Sequence, residues 1–149
     1  MGNNKNTVEE VKYTWLDFEE DLKAVISGLK GQKFDAIIGI AKGGLPLAVK
    51  LSNALKTPLK IVEARSYKNK KQSELVIEQF YPMMWGKRVL LVDDICDSSD
   101  TMEAVKDKLE FHIPKVETLV IFKRAGCKFN LDHFLRIAKK GVWIKFPWE

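Results

Sequence analysis

Short apolar runs alternate along this chain with segments of helical periodicity, and that alternation restricts the fold more than any other feature. Ala36-Ile37-Ile38-Gly39-Ile40, Val89-Leu90-Leu91-Val92 and the stretch from Val116 to Phe122 are largely apolar, as strands covered on both faces are. Between them, Phe18, Leu22, Val25, Ile26 and Leu29 recur at helical spacing, and so do Leu47, Ala48, Leu51, Ala54 and Leu55. A further helix is predicted from Asp100 to about Leu109. Thr14 followed by Asp17 resembles a capping box, Gly31 is a stop, and Pro46 suits a first helical turn. Strands are also predicted at Leu59 to Ala64, Leu75 to Phe80 and Trp143 to Phe146. The pattern predicts an α/β fold: a parallel sheet with helices on both faces. One domain spans residues 1–149, with residues 1–12 read as a loose polar tail.

Composition narrows the function classes. The formal charge is +5, which suits a small anionic ligand as well as nucleic acid. Cys96 and Cys127 form no CxxC pair and no zinc set with His112 and His133. No apolar run approaches the roughly 20 residues that span a membrane. The first ten residues are polar, without the apolar region of a signal peptide. A reduced, cytoplasmic protein without membrane partners is therefore expected.

In parallel sheets ligands bind beyond the carboxyl ends of the strands. Three segments lie there: Ala41-Lys42-Gly43-Gly44, Asp93 to Thr101, and Lys123-Arg124. The second is the richest. A buried strand delivers Asp93 and Asp94, the small residues Asp97-Ser98-Ser99-Asp100-Thr101 follow, and then a helix begins. A helix N-terminus offers free N–H groups and the positive end of a dipole, which together bind phosphate. The carboxylates could hold ribose hydroxyls or a metal ion. Spacing alone fits an ordinary capped strand–turn–helix equally well. The dinucleotide GxGxxG and the Walker GxxxxGK[ST] fingerprints are absent.

This segment resembles the PRPP (5-phosphoribosyl 1-diphosphate) signature of the type I phosphoribosyltransferases. Four other segments resemble that family in order: Ile37 to Leu45 the pyrophosphate loop, Ser66-Tyr67 the start of a mobile hood, Phe122-Lys123-Arg124, and Trp143 to Glu149 the base-binding tail of the purine branch. The resemblance implies the family's fold, with a small hood and base-binding subregion. It implies that a 6-oxopurine (hypoxanthine, guanine or xanthine) and PRPP give a nucleoside monophosphate and pyrophosphate, with Mg²⁺. The family usually forms dimers or tetramers, so a homo-oligomer is expected; nucleic acid is not. The alternatives are a PRPP- or nucleotide-sensing regulator, or an inactive homologue, on the same fold.

The resemblance also implies roles. Asp93 and Asp94 would hold the ribose hydroxyls, with Asp94 on the metal and Asp93 as the alternative ligand. Asp97 would accept or steady the N7 proton of the base. Ser98, Ser99, Asp100 and Thr101 would surround the 5′-phosphate, with Asp100 turned to solvent. Lys42 and Gly43 would present N–H groups to pyrophosphate, in a loop where the family often has a non-proline cis peptide. Lys123 would donate to the 6-oxo group, Trp143 would stack on the ring, and Ile144 would offer its carbonyl to the 2-position. Ser99 stands where the family usually has glycine. If the backbone there is left-handed, serine costs about 1–2 kcal/mol more than glycine.

Overall fold

The computed structural model describes residues 7–66, 75–77 and 84–149. In chain order the elements are β1 (Glu10–Lys12), α1 (Trp15–Leu29), β2 (Ala36–Ala41), α2 (Leu45–Leu55), β3 (Leu59–Ser66), β4 (Leu75–Ile77), β5 (Arg88–Cys96), α3 (Asp100–Glu110), β6 (Lys115–Arg124), β7 (His133–Ala138) and β8 (Trp143–Lys145). Six strands form one sheet in the order β4-β3-β2-β5-β6-β7. Its pairings are parallel except that between β3 and β4.

Local sequence explains most of these boundaries. The Thr14 hydroxyl accepts from the Asp17 N–H, and the Asp17 carboxylate accepts from the Thr14 N–H, closing the expected capping box. Gly31, at φ +84°, takes the chain out of α1. Pro46 lies in the first turn of α2. Ile37, Ile38, Leu90 and Leu91 are fully buried in the central strands; truncating one to alanine would cost about 2–5 kcal/mol. Phe18, Val25, Leu29, Leu47 and Leu51 of α1 and α2 cover one face. Met102, Val105 and Leu109 of α3 cover the other. Helices on both faces, as expected, leave the strand ends as the open edge.

Three features differ from the sequence expectation. Residues 10–12 are not a loose tail: they pair in parallel with β8, Val11 opposite Ile144. The segment His133–Ala138 forms an edge strand, β7, that the apolar pattern does not announce. β5 runs on through Asp93 and Asp94 to Cys96, still paired with β6, so the acidic pair lies inside a strand. The basic stretch 67–74, with Tyr67 of the expected hood, lies outside the described residues. Ser66 ends β3, where it pairs with Leu75.

A polar knot ties the first helix to the edge strand. Tyr13 Oη donates to Asp21 Oδ2 at 2.6 Å, and Arg136 Nε donates to the same oxygen at 2.8 Å. The Tyr13 ring meets Phe122 and Phe146 edge-on, so this knot also anchors the segment after β8.

Candidate active site

Because successive strand residues face opposite ways, Asp93 and Asp94 serve different cavities. Asp93 faces the α3 side. With Ile95, Cys96, Asp97, Ser98, Ser99, Thr101 and Met102 it lines a cavity of about 100 Å³. Asp94 faces the other way and, with Lys42, Gly43 and Trp148, borders a cavity of about 680 Å³.

The small cavity lies at the N-terminus of α3. Ser99 is the N-cap residue, with φ +73°, and its side chain makes no capping bond. The left-handed backbone on which the cost of serine depends is therefore present. Asp100 is exposed and lines none of these cavities, in keeping with its expected turn to solvent. Replacing Ser99 by glycine relieves about 1 kcal/mol of backbone strain, partly offset by the greater freedom of glycine in the unfolded chain. Ser99→Gly is expected to leave PRPP affinity unchanged or tighten it. Calorimetric titration checks this, and a clear loss of affinity would refute it.

A larger cavity, about 740 Å³, opens beside the small one. Asp97, Ser98 and Ser99 line both. Arg124, Gly126, Cys127, Val142 and Trp143 are among the other residues of its wall, together with Val8. Arg124 is the hub. Its Nε donates to Asp97 Oδ1 at 3.1 Å, and Nη2 reaches Asp97 Oδ2 at 3.4 Å. Nη1 donates to the carbonyls of Lys139 at 2.7 Å and Val142 at 2.6 Å. One guanidinium thus joins the loop after β5 to the turn before β8, a use for which its rigid donor fork is suited. Arg124 is the residue that sequence reasoning passed over; its charge after a buried strand was visible, its four acceptors were not.

The other expected base contacts are placed as follows. Trp143 lines the large cavity and is 54% exposed. Ile144 buries its side chain in the core. The Trp143 N–H donates to the Glu9 carbonyl and the Tyr13 N–H to that of Lys145. In a parallel ladder the backbone groups alternate between edges, so the Ile144 carbonyl turns to the edge on which Val142 accepts from Arg124. Lys123 lines none of these three cavities; its ammonium lies over the Phe134 ring, 5.3 Å from the centroid.

The loop after β2 packs against β5. The Ala41–Lys42 peptide is cis, one bond before Lys42-Gly43. A Cβ on Gly44 would lie 2.8 Å from the Ile40 carbonyl and 2.9 Å from Asp93 Cα, so the turn rests directly on the strand. A Cβ on Gly43 would come equally close to the Asp94 carboxylate.

Burial, and then the charge of Asp94, pushes the Asp93 carboxyl well above the ordinary range. Burial also raises Asp94, against the opposing pull of Asp93, the Ile95 N–H and the Trp148 indole. That indole N–H is buried and, among the described residues, makes no bond within hydrogen-bonding geometry; it acts on Asp94 as a nearby dipole. A raised folded pKa favours the fold below the unfolded pKa of about 3.9, and that contribution is lost as pH rises through the folded value. At neutral pH the pair therefore weakens the metal-free protein. Asp93→Asn keeps an oxygen for the Asp94 N–H, which now bonds Asp93 Oδ1 at 2.8 Å, and removes one charge. It should raise the melting temperature at neutral pH, with the gain shrinking towards about pH 4. Thermal melts across pH test this; equal melting temperatures at neutral pH would overturn it.

Among the described residues no three metal-ligating side chains cluster. The half-buried acidic pair still fits a hard divalent cation, because Mg²⁺ takes one or two carboxylates and draws its remaining oxygens from water and substrate.

Comparison with known proteins identifies the family. The family model described as phosphoribosyl transferase domain matches residues 15–149. A xanthine-guanine phosphoribosyltransferase of Chromohalobacter salexigens is 26% identical over 142 residues, covering 95% of this chain and 85% of that protein. The purine phosphoribosyltransferase of Pyrococcus horikoshii superposes with a TM-score of 0.82 at 29% identity, covering 95% of this chain and 94% of the other. The xanthine-guanine-hypoxanthine phosphoribosyltransferase of Helicobacter pylori gives 0.83 at 27% identity, with the same coverage.

Proposed function

The chain belongs to the phosphoribosyltransferase family and is an enzyme of that kind, and we propose that it transfers the ribose 5-phosphate of PRPP to a 6-oxopurine. The observation that carries the reading is the adjacency of the two cavities that share Asp97, Ser98 and Ser99. The small one has the size and the helix N-terminus for a 5′-phosphate. The large one has an exposed tryptophan for stacking, worth roughly 1–3 kcal/mol per base, and a carboxylate between ring and sugar.

In this reading the 5′-phosphate rests on the backbone N–H groups and hydroxyls of Ser98, Ser99 and Thr101. Asp93 from the small cavity and Asp94 from the Lys42–Gly43 side reach the ribose hydroxyls from opposite faces of β5. Pyrophosphate leaves toward the backbone of Lys42 and Gly43. When bound, Mg²⁺ on Asp94, with Asp93 as the alternative ligand, would neutralise charge on the leaving group. The purine stacks on Trp143 with N9 toward C1′. Asp97 accepts or steadies the N7 proton, and Arg124 fixes that carboxylate. The Ile144 carbonyl addresses the 2-position. Lys123 addresses the 6-oxo group after swinging from Phe134. A cationic donor there suits an oxo acceptor and disfavours the 6-amino group of adenine. Positioning and charge stabilisation supply most of the rate, because both reacting groups arrive oriented.

Pyrophosphate release from PRPP and Mg²⁺ with hypoxanthine, guanine, xanthine and adenine in turn tests the proposal. Turnover with one or more 6-oxopurines and little with adenine supports it. Preference for adenine, or no turnover with any of the four, overturns it.

A further inference from the structure

Cys96 and Cys127 take no part in the reaction proposed above. Their sulfurs lie 3.6 Å apart, and both are free thiols. Cys96 is buried at the end of β5, directly before Asp97. Cys127 is half-buried and lines the large cavity, in the turn after β6. The β5–β6 ladder brings them together: its last pair is Cys96 with Lys123. A disulfide needs the sulfurs about 2.05 Å apart, so they must close by roughly 1.5 Å. The turn carrying Cys127 can supply that movement. Its N–H donates to the Arg124 carbonyl at 3.0 Å, and Gly126 before it, at φ +86°, imposes little backbone stiffness. With no third metal-ligating side chain clustered beside them among the described residues, oxidation is the chemistry this pair is placed for.

We infer that Cys96 and Cys127 form a reversible dithiol–disulfide site, oxidised by hydrogen peroxide, that cross-links the lining of the small cavity to the wall of the large one. Cys127, the more accessible thiol, reacts first. Its sulfur attacks one peroxide oxygen, an S–O bond forms, the O–O bond breaks, and the other oxygen leaves as water with the thiol proton. The Cys96 sulfur then attacks the Cys127 sulfur. The S–S bond forms, the S–O bond breaks, and the hydroxyl leaves as water with the Cys96 proton. Two thiols lose two electrons and one peroxide becomes two waters. A dithiol reductant reverses the bond by exchange.

The cross-link has a consequence for catalysis because Arg124 sits three residues before Cys127 and holds Asp97. Drawing the turn inward displaces the guanidinium, and misplacement of about 1 Å can cost up to 10²-fold in rate. Only this consequence rests on the phosphoribosyl-transfer reading; the cross-link itself does not.

The full chain, first reduced, is treated with hydrogen peroxide, alkylated with iodoacetamide, digested and mapped by mass spectrometry. The expected product is a Cys96–Cys127 linked peptide that dithiothreitol abolishes and that Cys96→Ser cannot form. Both cysteines alkylated after peroxide, or Cys127 found as sulfinic acid beside an alkylated Cys96, overturns the site. Turnover of the oxidised protein should fall about ten- to a hundredfold and return with dithiothreitol. In Cys127→Ser, measured against its own untreated rate, peroxide should leave turnover unchanged. A cross-link that forms without loss of turnover overturns the catalytic consequence. A protein inactive on every base, yet cross-linked, refutes the proposed reaction and leaves the oxidation site standing.

Discussion

Asp97→Asn is expected to lower turnover with a 6-oxopurine by about 10²–10⁴-fold, the usual contribution of a positioned acid–base group. Asparagine preserves the shape and an oxygen for Arg124 but cannot take a proton. The fold should tolerate it, because the Asp97 side chain is 63% exposed in its pair with Arg124, and such pairs contribute about 0–1 kcal/mol. PRPP binding should also persist, since the hydroxyls and N–H groups around the small cavity are untouched. Steady-state kinetics on the base, beside calorimetric titration of PRPP, separate the two. A variant within a few-fold of the parent rate would remove Asp97 from the chemistry.

Gly43→Ala has the second-largest expected effect, and it acts through a collision. The new Cβ would meet the Asp94 carboxylate, 2.7 Å from Cγ and 2.9 Å from Oδ1. Asp94 cannot yield freely, because its Oδ1 accepts the Ile95 N–H at 2.7 Å. Either the loop shifts or the carboxylate rotates and gives up that bond, which is worth about 0.5–1.5 kcal/mol. We expect a loss of about 1–3 kcal/mol in stability, as for other overpacked sites. The KM for Mg²⁺–PRPP should rise by about tenfold to a hundredfold, because the displaced carboxylate is one we propose to hold substrate. The double variant Gly43→Ala/Asp94→Ser separates these effects: it should recover stability in denaturant titrations and not activity. A single variant with parent stability and parent KM would refute the packing argument.

Much of this architecture could be read from the chain. The apolar runs at Ala36–Ile40 and Val89–Val92 carry their own signal, because both faces of each are buried. Thr14, Asp17 and Pro46 mark helix starts through local bonds, which depend on no distant residue. β7 was not legible because it is an edge strand. Phe134 and Ile137 are exposed while Arg136 and His133 are half-buried, so no period-2 pattern survives. β1 was not legible because its three residues are all exposed; it exists through backbone pairing with a segment far along the chain. The acidic pair was legible as a feature but not as a division of labour, because its two faces become distinct only once β5 is seen to continue past Val92. The role of Arg124 was not legible for the same reason as β1: its acceptors, Asp97, Lys139 and Val142, lie far from it in sequence.

The pairing of β1 with β8 bears on when the protein becomes competent during its synthesis. Residues 10–12 leave the ribosome long before residues 143–145 are made, so the earlier strand must wait for its partner. Pairing segments so far apart in sequence raises contact order, which slows folding. The six-stranded sheet, by contrast, can assemble through nearer neighbours as they emerge. The wall that carries Val142 and Trp143 is therefore finished last. A nascent chain can gather the small cavity at the start of α3 early, and the large cavity beside it follows only when the two distant strands meet.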